Sequence, residues 1–401
     1  MQDHSVGRKG SSPRRAGRSY RGLYLSRRPA AAGMVCLLLC SCGIGRERGA
    51  QQSGSPAGGP GGVAQASPTQ DQSPAKPQPR PAPPPDPSKF AVIISGVGGE
   101  DVYTKKFTSQ AFRIYDALVG RLGFSDKNII LLTETGASGA EDGFTDPDRT
   151  GGAYVGIATA AEVRKAFDRI KAAAKPDGFL LVVLIGHGAF DNQEAKFNLV
   201  GPDLGGKDYA KLLASVPVKR TVFVDCSSSS GEFIKPLSAE GRVVITATRS
   251  GNEQNITTFA DNLIQALTDE AADADKNGRL SILEVFNYAT KLTADWYKQK
   301  DQLATEHALL DDNGDGVGHE KAESGDGTLA GVTYLDSKPV QEAHGDPELA
   351  KLLDRRQQLE EDIGKLKAKK AEMKAEDYED ALEKLLLELA KLNRDIKSRQ
   401  K

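Results

Sequence analysis

Two scarce, reactive side chains stand at matching places in this chain. The apolar run Phe179–Ile185 leads directly into Gly186-His187-Gly188, and Thr221-Val222-Phe223-Val224 leads into Asp225-Cys226. A thiol becomes a useful nucleophile when an imidazole takes or balances its proton. In a parallel sheet, ligands gather beyond the carboxyl ends of the strands, so His187 and Cys226 can meet there. Gly186 and Gly188 leave room for a substrate backbone, and the amides of Gly188 and Cys226 can serve as an oxyanion hole. A histidine after a strand is more often structural. Between residues 89 and 340, however, there are only three histidines (His187, His307, His319) and one cysteine. Two of these at equivalent strand ends favour the chemical reading over an inert core thiol.

A second constellation offers oxygen ligands. Asp273-Ala274-Asp275-Lys276-Asn277-Gly278-Arg279-Leu280-Ser281-Ile282-Leu283-Glu284 fits the EF-hand loop. Asp273, Asp275, Asn277 and Glu284 supply side-chain oxygens at positions one, three, five and twelve. Arg279 would supply its backbone carbonyl, and Gly278 makes the sharp turn. The alternative is a solvated acidic turn between helices. Calcium is the expected cofactor, and no organic cofactor is expected. Asp311-Asp312-Asn313-Gly314-Asp315-Gly316-Val317-Gly318 is a partial second loop: Asp311, Asn313 and Asp315 keep the ligand spacing. Gly318 replaces the usual aliphatic residue there, and Ala322 sits where the bidentate Glu belongs.

The elements that must position these groups read as alternating strands and helices. Phe90–Ile94 and Asn128–Leu132 are buried-strand runs, with a helical stretch through Ala111, Ile114, Leu118 and Leu122 between them. Thr159 can cap a helix through Val163, Ala166, Phe167 and Ile170. A helix near Tyr209–Leu213 precedes the strand ending at Asp225, and Arg242–Thr246 is a fifth strand. This alternation predicts an α/β fold with a mostly parallel sheet and helices on both faces.

The pattern of a hydrophobic strand into His-Gly, then one into an acidic residue and Cys, resembles the legumain and caspase clan of cysteine peptidases. Phe90-Ala91-Val92-Ile93-Ile94-Ser95-Gly96 resembles the opening strand and Gly turn of legumain-like proteins. Phe124-Ser125-Asp126-Lys127-Asn128-Ile129 resembles the approach to their second strand, and Thr246–Glu253 the wall of their primary specificity pocket. The likeness runs from Lys89 to about Glu270. It implies a caspase-like three-layer α/β sandwich and a cysteine-type endopeptidase acting on a peptide or protein substrate. His187 would be the general base, and Cys226 the thiol that forms an acyl-enzyme. Arg249 and Glu253, with Lys105 and Lys106, become candidates for lining the substrate pocket. The family shows its nucleophile as Cys, one residue, Ser or Ala, then Gly, whereas this chain reads Asp225-Cys226-Ser227-Ser228-Ser229-Ser230-Gly231. Counting back from Gly231 puts Ser228 in the nucleophile's place; counting forward from the strand end gives Ser227. A serine nucleophile therefore stays open. So does a catalytically inactive, calcium-binding scaffold of the same fold with an interaction tail.

The flanking segments differ in kind. Residues 1–42 read as a secretory signal: an Arg-rich start, the short apolar run Ala30–Leu39, and Leu39-Cys40-Ser41-Cys42-Gly43, which resembles a bacterial lipobox. That predicts an exported protein, periplasmic or at the cell surface, held to the membrane by lipid on Cys42. Residues 43–88 are rich in Pro, Gly, Gln and Ser and read as a disordered tether. The domain spans residues 89–340. In the tail, 341–401, Leu352, Leu359, Leu366 and Met373 recur every seven, then Tyr378, Leu382, Leu385, Leu389, Leu392 and Ile396 alternate by four and three. The two phases do not match across Lys374–Asp377, so the tail is a helical hairpin or one coiled-coil helix with a stutter. Self-association through 346–396 and packing on its own domain are both open. With 53 Lys+Arg against 55 Asp+Glu, the chain lacks the basic excess of a nucleic-acid binder.

Overall fold

The computed structural model describes residues 83–136, 151–322, 325–336, 346–368, 370 and 373–399. The signal segment with Cys42, and the tether up to residue 82, lie outside the described residues.

Ten strands and nine α-helices are formed among the described residues. In chain order they are β1 (Lys89–Ser95), α1 (Asp101–Gly120), β2 (Ile129–Thr133), β3 (Tyr154–Ile157), α2 (Ala160–Ala173), β4 (Phe179–Ile185), β5 (Gly188–Phe190), β6 (Ala195–Phe197), β7 (Leu204–Gly205) and α3 (Gly206–Ser215). There follow β8 (Arg220–Asp225), α4 (Ile234–Leu237), β9 (Arg242–Thr246), α5 (Phe259–Thr268), α6 (Ile282–Gln299), β10 (Leu309–Asp311), α7 (Thr328–Gly331), α8 (Pro347–Ala368) and α9 (Ala375–Arg399). Seven strands make one sheet in the order β10-β9-β8-β4-β1-β2-β3, parallel throughout except for the edge pair β9–β10. The strand order reverses between β1 and β4, which is where an open α/β sheet gathers functional groups.

The sheet is buried on both faces, which is why its central strands are unbroken apolar runs. Ala91, Ile93, Val183, Val222 and Val224 pack under α1, α5 and α6. Val92, Ile94, Val182, Phe223 and Val244 pack under α2, α3 and α4. The fold is thus an α/β protein with a mostly parallel sheet between two helical layers, as the alternation of elements predicts. The Thr159 cap forms as expected, its hydroxyl accepting from the Glu162 amide at 3.2 Å, a contact type that stabilises a helix by about 1 kcal/mol.

Sequence periodicity missed β3, β10 and the small antiparallel sheet β5-β6-β7. Each is only two to four residues long, too short for a two-residue repeat to stand out. The order also starts earlier than expected. Asp86 is buried, its amide donates to the Gly123 carbonyl at 2.8 Å, and its carboxylate accepts from Ser88. The last residues of the tether therefore belong to the domain.

The tail is two helices. Leu349, Leu353 and Leu359 of α8 pack with Leu392 and Ile396 of α9. Arg355 pairs with Glu388, and Arg399 with Asp346, which fixes an antiparallel hairpin. The hairpin meets the domain where Tyr334 donates to Glu360 at 3.0 Å and where Gly364 lies against Val332 and Thr328. Among the described residues no helix is long and apolar enough to cross a membrane.

Phe223 is fully buried between Tyr209 and Phe233, with ring centroids 5.4 and 6.4 Å away. Phe223→Ala should lower the unfolding free energy by about 3–5 kcal/mol in a urea titration.

Candidate functional site

β4 and β8 pair in parallel with Leu184 opposite Asp225. Extending that register puts Cys226 beside Ile185, and Ser228 beside His187. The amide of Cys226 still donates to the Leu184 carbonyl at 2.9 Å, so this cysteine belongs to the sheet ladder and not to the turn beyond it. Strand alternation sends its side chain the same way as Val222 and Val224, into the core under α5 and α6. Cys226 is 1% exposed. Burial pushes its thiol well above the ordinary value, and the negative charges of Asp225, Glu306 and Asp261 push the same way. A buried, protonated thiol in apolar surroundings is inert. The structure therefore places Cys226 as a core residue, in contrast to the attacking role expected from sequence.

His187 lies just past β4, half-buried, and its ring sits edge-on to two aromatic rings of α1. The centroids of Tyr103 and Phe107 are 5.4 and 5.1 Å away. No hydrogen bond to its ring nitrogens forms among the described residues. The residue beside His187 is tied to the neighbouring strand end instead. The Gly188 amide donates to the Ser228 hydroxyl, and that hydroxyl donates to the Gly188 carbonyl, both at 3.1 Å. The amide assigned to an oxyanion hole is thus already used. A side chain at residue 188 would meet the Ser228 carbonyl at 2.2 Å, so glycine is required there by close packing.

The serine run is an internal knot. Ser227, Ser228, Ser229 and Ser230 are all buried. Ser227 donates to Asp225 Oδ1 at 2.6 Å, and Ser229 to the Gly251 carbonyl at 3.0 Å. Ser230 Oγ lies 3.1 Å from Thr248 Oγ1, which also accepts from the Gly231 amide. Ser229 takes a left-handed conformation, φ 59°, a strained state for a residue with a side chain and one common at functional turns. Asp225, which sequence reasoning treated only as part of a motif, is fully buried on the opposite face from Cys226. Burial pushes its carboxyl from 3.8 up to about 6, while its Ser227 hydrogen bonds pull the other way. Its Oδ2 has no partner among the described residues.

Of the pocket candidates, Arg249 and Glu253 fall on one loop, and Lys105 and Lys106 on α1. Glu253 accepts from the Arg249 amide and the His307 amide, at 2.9 and 3.1 Å, and its other oxygen lies 2.6 Å from His307 Nδ1. Arg249 also pairs through its guanidinium with Glu253 and Glu320, at 3.2 and 3.6 Å. Both residues thus stabilise the loop beside the serine turn, and Ser229 is joined to it through the Glu253 carbonyl. Lys106 pairs with Asp261 at 3.6 Å, and Lys105 is exposed on α1.

The loop 273–284 brings three carboxylates together. Oxygens of Asp273, Asp275 and Glu284 all lie within 4.8 Å of one another, so the group can hold a metal ion. Desolvation first, then the charges of Glu284 and Asp273, raise the Asp275 carboxyl, the repulsion a cation would relieve. Gly278 takes φ 83°, as the sharp turn requires. Asn277 Oδ1 accepts from the Arg279 amide at 2.7 Å. The Arg279 side chain points away, stacked over Tyr334 and paired with Asp336. Ser281 and Glu284 form a reciprocal capping box on α6.

No family model matches the chain, and no curated protein matches it. Among solved structures it is similar to protein GSU0716 from Geobacter sulfurreducens at 12% identity and a TM-score of 0.34, over 56% of this chain and 92% of that one. A likeness that distant fixes neither family nor activity.

Two outcomes follow from this geometry. In the native protein the Cys226 peptide should resist alkylation by iodoacetamide and become labelled only in denaturant, read by mass spectrometry. The second concerns pH. The folded state holds the Asp225 proton more tightly than the unfolded chain, so the stability this group contributes is full below its unfolded value of 3.8 and lost as pH rises through about 6. Unfolding free energy measured against pH should therefore fall across that window by up to about 3 kcal/mol more in the parent than in Asp225→Asn.

Proposed function

We propose that residues 89–340 are a legumain/caspase-like domain without cysteine-peptidase activity, serving as a calcium-stabilised scaffold. The observation that carries this reading is the burial of the Cys226 thiol in the apolar core, which disfavours its thiolate and takes it away from solvent. The serine turn supports the same reading. The hydroxyls of Ser227 and Ser228 are committed to Asp225 and Gly188, and the Gly188 amide is not open to an oxyanion. Calcium, bound through Asp273, Asp275, Asn277, the Arg279 carbonyl and Glu284, would fix the α5–α6 connection. As an oxygen-rich acidic loop the donor set suits a hard cation. The tail would supply the interaction surface, since Leu386 and Leu387 of α9 remain exposed. Export and a lipid anchor at Cys42 complete the reading, with the Pro/Gly-rich segment as tether.

The test is cleavage of a mixed peptide library by the purified protein in calcium, with His187→Ala, Cys226→Ala and Ser228→Ala alongside. The expected result is no cleavage by the parent above the level of His187→Ala. Cleavage lost in both His187→Ala and Cys226→Ala would establish the cysteine endopeptidase instead. Loss in His187→Ala and Ser228→Ala, with Cys226→Ala active, would establish a serine nucleophile.

A further inference from the structure

The second acidic loop lies at the other end of the sheet from His187, where β10 runs antiparallel to β9 with Asp311 opposite Val244. Its backbone follows the same path as the 273–284 loop. At position five, the Asp315 amide donates to Asn313 Oδ1 at 2.8 Å, as the Asn277 amide does to Asp275 Oδ1 at 2.9 Å. At position seven, the Val317 amide donates to Asp315 Oδ1 at 2.8 Å, matching Arg279 to Asn277. Positions four and six take positive φ in both loops, Lys276 and Gly278 in one, Gly314 and Gly316 in the other.

Loop shape alone does not make a site; the carboxylate of Asp311 does more. It is 1% exposed, one oxygen accepts from the Gly314 amide at 3.2 Å, and the other has no partner among the described residues. The Gly314 bond turns this carboxylate toward the loop. A buried carboxylate oxygen without a donor is costly, and a cation inside the loop would satisfy it. In the 273–284 loop, by contrast, both Asp273 oxygens accept backbone amides. Asp312 is not a further ligand, because its two oxygens cap the Gly327 and Ala330 amides. The Gly325 carbonyl lies 3.4 Å from Asn313 Nδ2, which also donates to Asp315 Oδ2 at 3.1 Å.

We infer that loop 311–317 is a second site for a hard divalent cation of the calcium class, held by Asp311, Asn313, Asp315 and the Val317 carbonyl. With no bidentate Glu, water completes the shell and affinity falls in the weak range of extracellular modules, about 10⁻⁴–10⁻³ M. Bound there, the ion pins the edge strand β10 and its return to His319, which pairs with Leu310. The inference goes beyond the scaffold reading and holds whether or not the domain cleaves peptides.

The test is equilibrium dialysis of the full chain against calcium up to a few millimolar, with Asp275→Ala, Asp315→Ala and Asp311→Asn in parallel and folding checked by circular dichroism. Asp275 and Asp315 are exposed, so both alanine variants keep the core intact. The expected result is two ions bound by the parent. The weaker is lost in Asp315→Ala and Asp311→Asn, and the other in Asp275→Ala. Two ions retained in Asp315→Ala would overturn the second site, as would a single ion that only Asp275→Ala removes. A single ion removed only by Asp315→Ala would uphold this site and overturn calcium at 273–284. No binding by the parent would overturn both.

Discussion

The pairing of β4 with β8 governs the candidate site. Once Leu184 stands opposite Asp225, the pleat decides which residues face each helical layer and which lie beyond the last ladder bond. Cys226 is held inside that limit by its own amide, while Ser228 and Gly188 meet just outside it. A slip of one residue would reverse every facing in β8. The apolar residues Val222 and Val224 on one face and Phe223 on the other hold the register with their own burial. The chemistry available at the strand ends is thus a by-product of core packing two residues away.

The turn that follows illustrates how a polar run can be stable in a dry place. Four consecutive serines are buried, and their hydroxyls find partners in Asp225, Gly188, Thr248 and Gly251. Thr257 adds a bond to the Cys226 carbonyl. Satisfied networks of this kind rigidify a site. Asp225 is the exception, keeping one oxygen without a partner among the described residues at full burial, and it concentrates the turn's sensitivity to pH.

Charged residues latch the periphery onto the core. Lys89, buried at the start of β1, donates to the carbonyls of Leu122 and Leu335. Arg279 pairs with Asp336 at low exposure, and breaking one half of such a pair is far more damaging than never having had it. Leu335 and Asp336 therefore join β1 to the 273–284 loop. Tyr334 extends the connection to α8 through Glu360. The acidic loop, the last segment of the domain and the helical hairpin are one continuous set of contacts.

Much of this was legible in the sequence. Unbroken apolar runs of three to seven residues marked β1, β2, β4, β8 and β9, because a strand buried on both faces is apolar along its centre. Acidic residues at fixed spacing marked the 273–284 loop, because oxygen ligands and a glycine turn are set by local geometry. The mismatched heptads marked a break in the tail. What tertiary structure alone decided was the hairpin, set by leucines that meet across the break, and the strands of two to four residues, too brief for a periodic pattern to show. It also decided the fate of Cys226. Its distance from His187 in sequence says nothing about which side of the last ladder bond it occupies. That depends on a register between two strands, and register is a property of the packed sheet and not of either strand by itself.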